Sequence, residues 1–157
     1  MTTIRVATGI ATGPTEMASY DAALAEAGLH NYNLVPVSSV VPADATVEVV
    51  DRVPDLGPAG NRLTVVQSRA TTAQPGRVTA GLGWATGPGP GLFYEAAAEA
   101  DPGTVRERIT EGLAAGRRLR EWSFTDEEIE IASVDADAGT HTTAVVIAAY
   151  GESEPIA

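Results

Sequence analysis

Only two stretches of this chain carry a helical repeat, and they sit far apart among short apolar runs cut by proline and glycine. Met17, Tyr20, Leu24 and Ala27 recur at helical spacing until Gly28 stops the pattern, a position suited to left-handed backbone. Asp101-Pro102 opens the second helix with a capping carboxylate and a proline at the first helical position. Val105, Ile109, Leu113 and Gly116 continue it to about Arg120. Arg117, Arg118 and Arg120 fall in its last turn, where cations suit the helix dipole.

Strand signals fill the rest. They cover 4–8, 46–52, 62–69, 77–84, 92–98, 128–134 and 142–150, with a run over 31–42 that Pro36 and Pro42 interrupt, as on an edge or distorted strand. The segment Ile10 to Thr15 reads as a turn. Two helices among about eight mainly antiparallel strands define an α+β sandwich with one helix on each sheet. No boundary signal divides it, so 1–157 is expected to be a single domain.

Composition removes whole classes of chemistry. The chain has no lysine, so all ten of its basic side chains are arginines. Without lysine there is no anchor for pyridoxal phosphate, no Schiff-base lysine, no phosphate-loop lysine and no Ser-Lys dyad. The absence of cysteine removes disulfides, thiolate catalysis and sulfur-ligated metals, and His30 and His141 alone do not complete a metal site. A net charge of −11 argues against nucleic-acid and anionic-membrane partners and favours cationic ligands. It fits either an Ala- and Arg-rich genome or, the reading favoured here, a salt-rich cytoplasm that screens self-repulsion. The N-terminus shows no signal-peptide pattern, and the longest apolar run, Ala144 to Tyr150, is far short of the ~20 residues that span a bilayer. A cytoplasmic location is expected.

Several motifs have plain structural explanations. The glycines from Gly81 to Gly87 miss dinucleotide spacing and open no helix. Asp135-Ala-Asp137-Ala-Gly139 begins like a calcium loop but lacks the later ligands, so it reads as a solvated turn. Gly112 and Gly116, one turn apart, point to a close helix–sheet contact. His30 reads equally well as a loop residue. Glu95 differs, as a lone acid on the same strand face as Phe93, either a proton-donating neutral acid or one half of a buried ion pair. With seven serines in the chain, the pair Ser38-Ser39 has about one chance in three of arising at random. Set between Val35, Val37, Val40 and Val41, it must be hydrogen-bonded or functional if buried.

The segments Thr15-Glu-Met-Ala-Ser-Tyr-Asp21, Gly28-Leu-His-Asn-Tyr-Asn33-Leu-Val-Pro-Val-Ser38-Ser39-Val-Val-Pro42 and Leu92-Phe-Tyr-Glu95 together resemble the pyruvoyl-dependent arginine decarboxylases, in order through nearly the whole chain. The resemblance implies a four-layer αββα sandwich and an active homotrimer with sites between neighbours. It implies self-cleavage between Ser38 and Ser39 into a small chain 1–38 and a larger chain 39–157, with Ser39 becoming a covalent pyruvoyl group that replaces pyridoxal phosphate and needs no metal. Decarboxylation of L-arginine to agmatine would follow. By similarity Glu95 is the general acid, in an apolar surround that its neighbours Leu92, Phe93 and Tyr94 are expected to supply. Asp21 would bind the guanidinium, with Ser38, His30 and Tyr32 also lining the substrate pocket, and Asn33 would serve processing and site geometry. Asp21 and Glu95 are expected to reach one site from different subunits. The alternatives are a pyruvoyl enzyme acting on another amino acid, or an unprocessed, non-catalytic homologue.

Overall fold

Proline and glycine punctuation divides the chain into β1 (Thr2–Gly13), α1 (Glu16–Ala27), β2 (Asn33–Pro36), β3 (Val40–Val41), β4 (Ala45–Val49), β5 (Arg62–Thr72), β6 (Gly76–Thr86), β7 (Gly91–Ala98), α2 (Pro102–Arg118), β8 (Asp126–Ala136) and β9 (His141–Tyr150). These bounds come from a computed structural model that describes residues 2–157. The helix ends follow the sequence signals. Thr15 caps α1 by accepting from the Ala18 N–H at 3.0 Å, Gly28 closes it at φ 87°, and Asp101 caps α2 by accepting from the Thr104 N–H at 2.8 Å.

Two sheets form, in the orders β2-β5-β9-β1-β4 and β3-β7-β6-β8. All pairings are antiparallel except β1 with β4 and β2 with β5. Three apolar cores separate four layers, as expected. Ala23, Leu24 and Ala27 of α1 pack with Val65, Val145 and Ile147 on the outer face of the five-stranded sheet. Ile4, Val6, Val66, Leu82, Trp84, Phe93 and Val146 meet between the sheets. Val105, Ile109 and Leu113 of α2 pack with Ala85 and Leu92 on the outer face of the four-stranded sheet. Period-two alternation makes this possible, since each central strand is apolar on both faces.

Three local expectations change. Residues 10–13 continue β1 rather than turning, because Gly9 and Gly13 lie where α1 presses its backbone onto the strand. A Cβ at Gly9 would collide with the Ala23 carbonyl, and one at Gly13 would come within 2.7 Å of the Ser19 nitrogen. Met17 is 64% exposed, not buried, because in the first turn of α1 it is Ser19, fully buried and bonded to Thr143, that faces the sheet. The run 31–42 is two strands in two different sheets, which raises the strand count to nine among the described residues. The close contact expected at Gly112 and Gly116 is present: a side chain at Gly112 would strike the Tyr94 ring, and one at Gly116 would meet Leu92 at 3.1 Å.

Candidate functional site

The serine pair lies where the chain leaves one sheet for the other. β2 runs parallel to β5 from Asn33–Arg62 to Pro36–Val65, and the Val37 N–H adds a last bond to the Val65 carbonyl at 2.9 Å. After two intervening residues β3 begins, pairing Val40 with Leu92 and Val41 with Gly91 in the opposite sheet. Ser38 is exposed and Ser39 half-buried between them, and Val35, Val37 and Val40 are exposed as well. The serines are therefore not a buried core pair in need of satisfaction. The backbone around them is nevertheless held. The Ser38 carbonyl accepts from the Val40 N–H at 3.2 Å, the Ser39 carbonyl from the Phe93 N–H at 2.8 Å, and the Val40 carbonyl from the Tyr150 hydroxyl at 2.9 Å.

Glu95 follows Phe93 by two residues on β7, which places it about 7 Å further along the strand from the residue that bonds Ser39. The face expected for it is correct. Phe93 is buried between the sheets, and Glu95 reaches the rim of the same gap, where it lines a cavity of about 520 Å³ with Pro36, Val37, Gln67 and Arg69. Leu92 and Tyr94 point the other way, towards α2, so of the three expected apolar neighbours only Phe93 shares its side. Glu95 is exposed to solvent, yet partial desolvation at this rim still holds its pKa above the ordinary carboxylate value.

Ser39 lines a different groove, of about 280 Å³, with Leu92, Tyr94, Gly116 and Leu119. Residue 39 suits conversion to a pyruvoyl group. It carries the needed side-chain oxygen, its own carbonyl is tied to β7, and the groove walls beside it are largely apolar.

Asp21, His30 and Tyr32 come together elsewhere, on the outer corner of the five-stranded sheet. They line a cavity of about 460 Å³ with Met17, Tyr20 and Leu24. Asp21 and His30 are exposed. Tyr32 is anchored, because its hydroxyl accepts from the Leu56 N–H at 3.0 Å and donates to the Gly57 carbonyl at 3.3 Å. Asn33 donates its carboxamide to the Gly60 carbonyl at 2.8 Å, at the end of β2 opposite Ser38 and about 16 Å from it along the strand. The three cavities share no lining residue, but Ser39 and Glu95 meet the same strand, Ser39 through the Phe93 N–H and Glu95 two residues further on, whereas Asp21 lies on α1.

Three further side chains bear on these surfaces or on the crossover, with weak sequence signals or none. Met17 walls the Asp21 cavity; one turn before Asp21, it already stood among the apolar positions of α1. Arg69 lies over the Tyr20 ring at 4.2 Å, while the Tyr20 hydroxyl donates to Gln67 at 2.8 Å, so α1 is tied to the rim of the Glu95 cavity. Tyr150 gave no sign, since its partner Val40 is 110 residues away. Among the described residues no cluster of His, Asp and Glu is placed to hold a metal ion, and no helix is long and apolar enough to cross a membrane.

Residues 3–155 match the family model described as pyruvoyl-dependent arginine decarboxylase. A protein of that name from Halobacterium salinarum is 58% identical over 157 residues, covering 99% of this chain and 98% of the relative. Another from Pyrococcus horikoshii is 33% identical over 136 residues, with 82% and 85% covered. One from Pyrococcus furiosus is 31% identical over 141 residues, with 88% and 87% covered.

Proposed function

The chain belongs to the pyruvoyl-dependent arginine decarboxylase family, and from that premise we propose that it cuts itself between Ser38 and Ser39 and then decarboxylates L-arginine to agmatine and CO₂. The cut divides the single domain into 1–38 and 39–157. The Ser39 hydroxyl attacks the Ser38 carbonyl carbon, the peptide C–N bond breaks as an ester forms, and the hydroxyl proton passes to the freed nitrogen. Loss of the Ser39 α-proton then expels the Ser38 carboxylate, and hydrolysis of the resulting dehydroalanine releases ammonia and leaves a pyruvoyl group. That group supplies the electron-withdrawing carbonyl which accepts the electron pair as CO₂ departs.

The other residues bind substrate and move protons. Glu95 in its protonated form delivers a proton to the former α-carbon, a role its raised pKa supports. Asp21 takes the substrate guanidinium in a bidentate pair, with His30, Tyr32 and Ser38 beside it. Asn33 acts at a distance: by tying the start of β2 to Gly60 it sets the register of the strand that delivers Ser38. The active unit is a cytoplasmic homotrimer in which Asp21 of one copy faces Ser39 and Glu95 of the next. Within one protomer the Asp21 cavity is lined by none of the residues around Ser39 and Glu95, which supports that arrangement.

The placing of Ser38-Ser39 carries this reading, because an exposed crossover with its carbonyls tied down presents one peptide bond for reaction within a rigid frame. Denaturing mass spectrometry tests it. Cleavage gives fragments of about 3.9 and about 12.3 kDa, the larger with a blocked N-terminus, alongside agmatine formation from arginine. An intact mass alone, after incubation in high salt, overturns the reading.

A further inference from the structure

The crossover carries more fixation than a loop between two edge strands requires. Three consecutive carbonyls, of Ser38, Ser39 and Val40, each have a donor, and the donors come from three places: the segment itself, β7 and β9. The first bond closes a three-residue turn across Ser39, with the Val40 N–H on the oxygen of Ser38. That oxygen gains negative charge when the Ser39 hydroxyl attacks its carbon. A donor already in place there stabilises the developing charge without reorganisation.

The Val40 N–H stays on target only if the Val40 residue cannot rotate, and one side chain holds it. Tyr150, at the end of β9, reaches from the five-stranded sheet across the gap to the Val40 carbonyl. Its ring is braced by Phe93 at a centroid distance of 6.1 Å, and Phe93 in turn packs edge-on against Trp84 at 6.1 Å. Phe93 also donates its N–H to Ser39, so the brace and the backbone tie come from the same residue. Burial pushes the Tyr150 phenol up to about 12, so it remains a donor throughout the neutral and mildly alkaline range.

We infer that Tyr150 is a positioning residue for self-cleavage: its hydroxyl fixes Val40 so that the Val40 N–H supports the oxyanion formed at the Ser38 carbonyl. The inference rests on the self-cleavage reading above. Tyr150 touches none of the atoms that react and acts through Val40.

The test follows the cleavage of freshly made chains by denaturing mass spectrometry, well below every variant's unfolding midpoint. Tyr150→Phe keeps the ring and removes one hydrogen bond, and its expected effect is a cleavage rate about fivefold to tenfold slower. Ser19→Ala is the stability control, because it deletes a buried hydroxyl that donates to the Glu16 carbonyl at 2.8 Å and shares a 2.7 Å bond with Thr143, far from the crossover. It is expected to cleave at the unmodified rate. Replacing Tyr150 with 3-fluorotyrosine, which keeps the hydroxyl, is expected to restore the rate. The inference is overturned if Tyr150→Phe cleaves as fast as the unmodified chain, if Ser19→Ala is slowed equally, or if 3-fluorotyrosine gives no rescue. An unmodified chain that stays intact overturns it together with the self-cleavage reading, whereas normal cleavage in the unmodified chain and in Tyr150→Phe overturns the Tyr150 role alone.

Discussion

The corner that carries Asp21 and the crossover that carries Ser38 and Ser39 are built from opposite kinds of structure. Asp21 stands on a capped helix, projects into solvent, and has around it an exposed methionine and an anchored tyrosine. Its position comes from the packing of α1 on the sheet, and among the described residues no bond restricts its carboxylate. The crossover has almost no regular structure, yet its backbone is tied at each residue from Val37 to Val40. A binding carboxylate needs a firm base and a free tip, while a peptide bond that must react needs its own atoms held. The difference separates affinity from chemistry, and the two are separately breakable.

Glu95→Gln gives the largest separation. Cleavage should proceed normally while CO₂ release per cleaved chain falls by about 10²- to 10⁴-fold, measured by radiometric assay. Unchanged turnover would remove Glu95 from its role. Asp21→Ala should raise KM for arginine by about 10- to 100-fold and leave the cleavage time course untouched, because only a charge-assisted pair to the substrate is lost. Gly9→Ala acts on the base of the same corner. Its new methyl meets the Ala23 backbone, which has no rotamer to yield, so α1 must shift. A loss of about 1–3 kcal/mol in stability is expected by denaturant titration, with KM raised and self-cleavage retained. The smallest effect concerns alkali. Tyr150 ionises near 10.0 when unfolded and at about 12 when folded, so the folded state prefers the neutral phenol. Stability is therefore complete below pH 10 and declines from there towards pH 12, a slope that calorimetry should find flattened in Tyr150→Phe.

Much of the scaffold is legible because its signals are local. Thr15, Gly28, Asp101 and Pro102 mark helix ends through bonds to residues a turn away, and alternation marks the strands. Gly13 misled for a physical reason: glycine serves both tight turns and close backbone approach, and here α1 made it the second. The division of 31–42 between two sheets depends on Val65 and Leu92, tens of residues downstream, and nothing within the run records those partners. In the candidate site, Glu95 stands out by itself as an acid in an apolar strand. Asp21 does not, since a carboxylate beside an apolar helix face is ordinary, and only its match to a family pattern singles it out. Tyr150 leaves no mark at all, being one more aromatic at the end of a strand.

The place of β1 in its sheet gives the proposed cut an unusual outcome. β1 is no edge piece: it pairs with β9 from Ile4–Tyr150 to Gly13–His141 and with β4 along its other side, while β2 pairs with β5. The segment up to Ser38 thus supplies an internal strand, β1, and an edge strand, β2, of a sheet whose other strands belong to 39–157. Severing the backbone would turn one polypeptide into an interlocked heterodimer whose halves stay together only while the sheet survives. Unfolding would then become dissociation as well. Reassembly would depend on two molecules meeting, so the mature protein's recovery from denaturant should slow on dilution where that of an uncut chain would not.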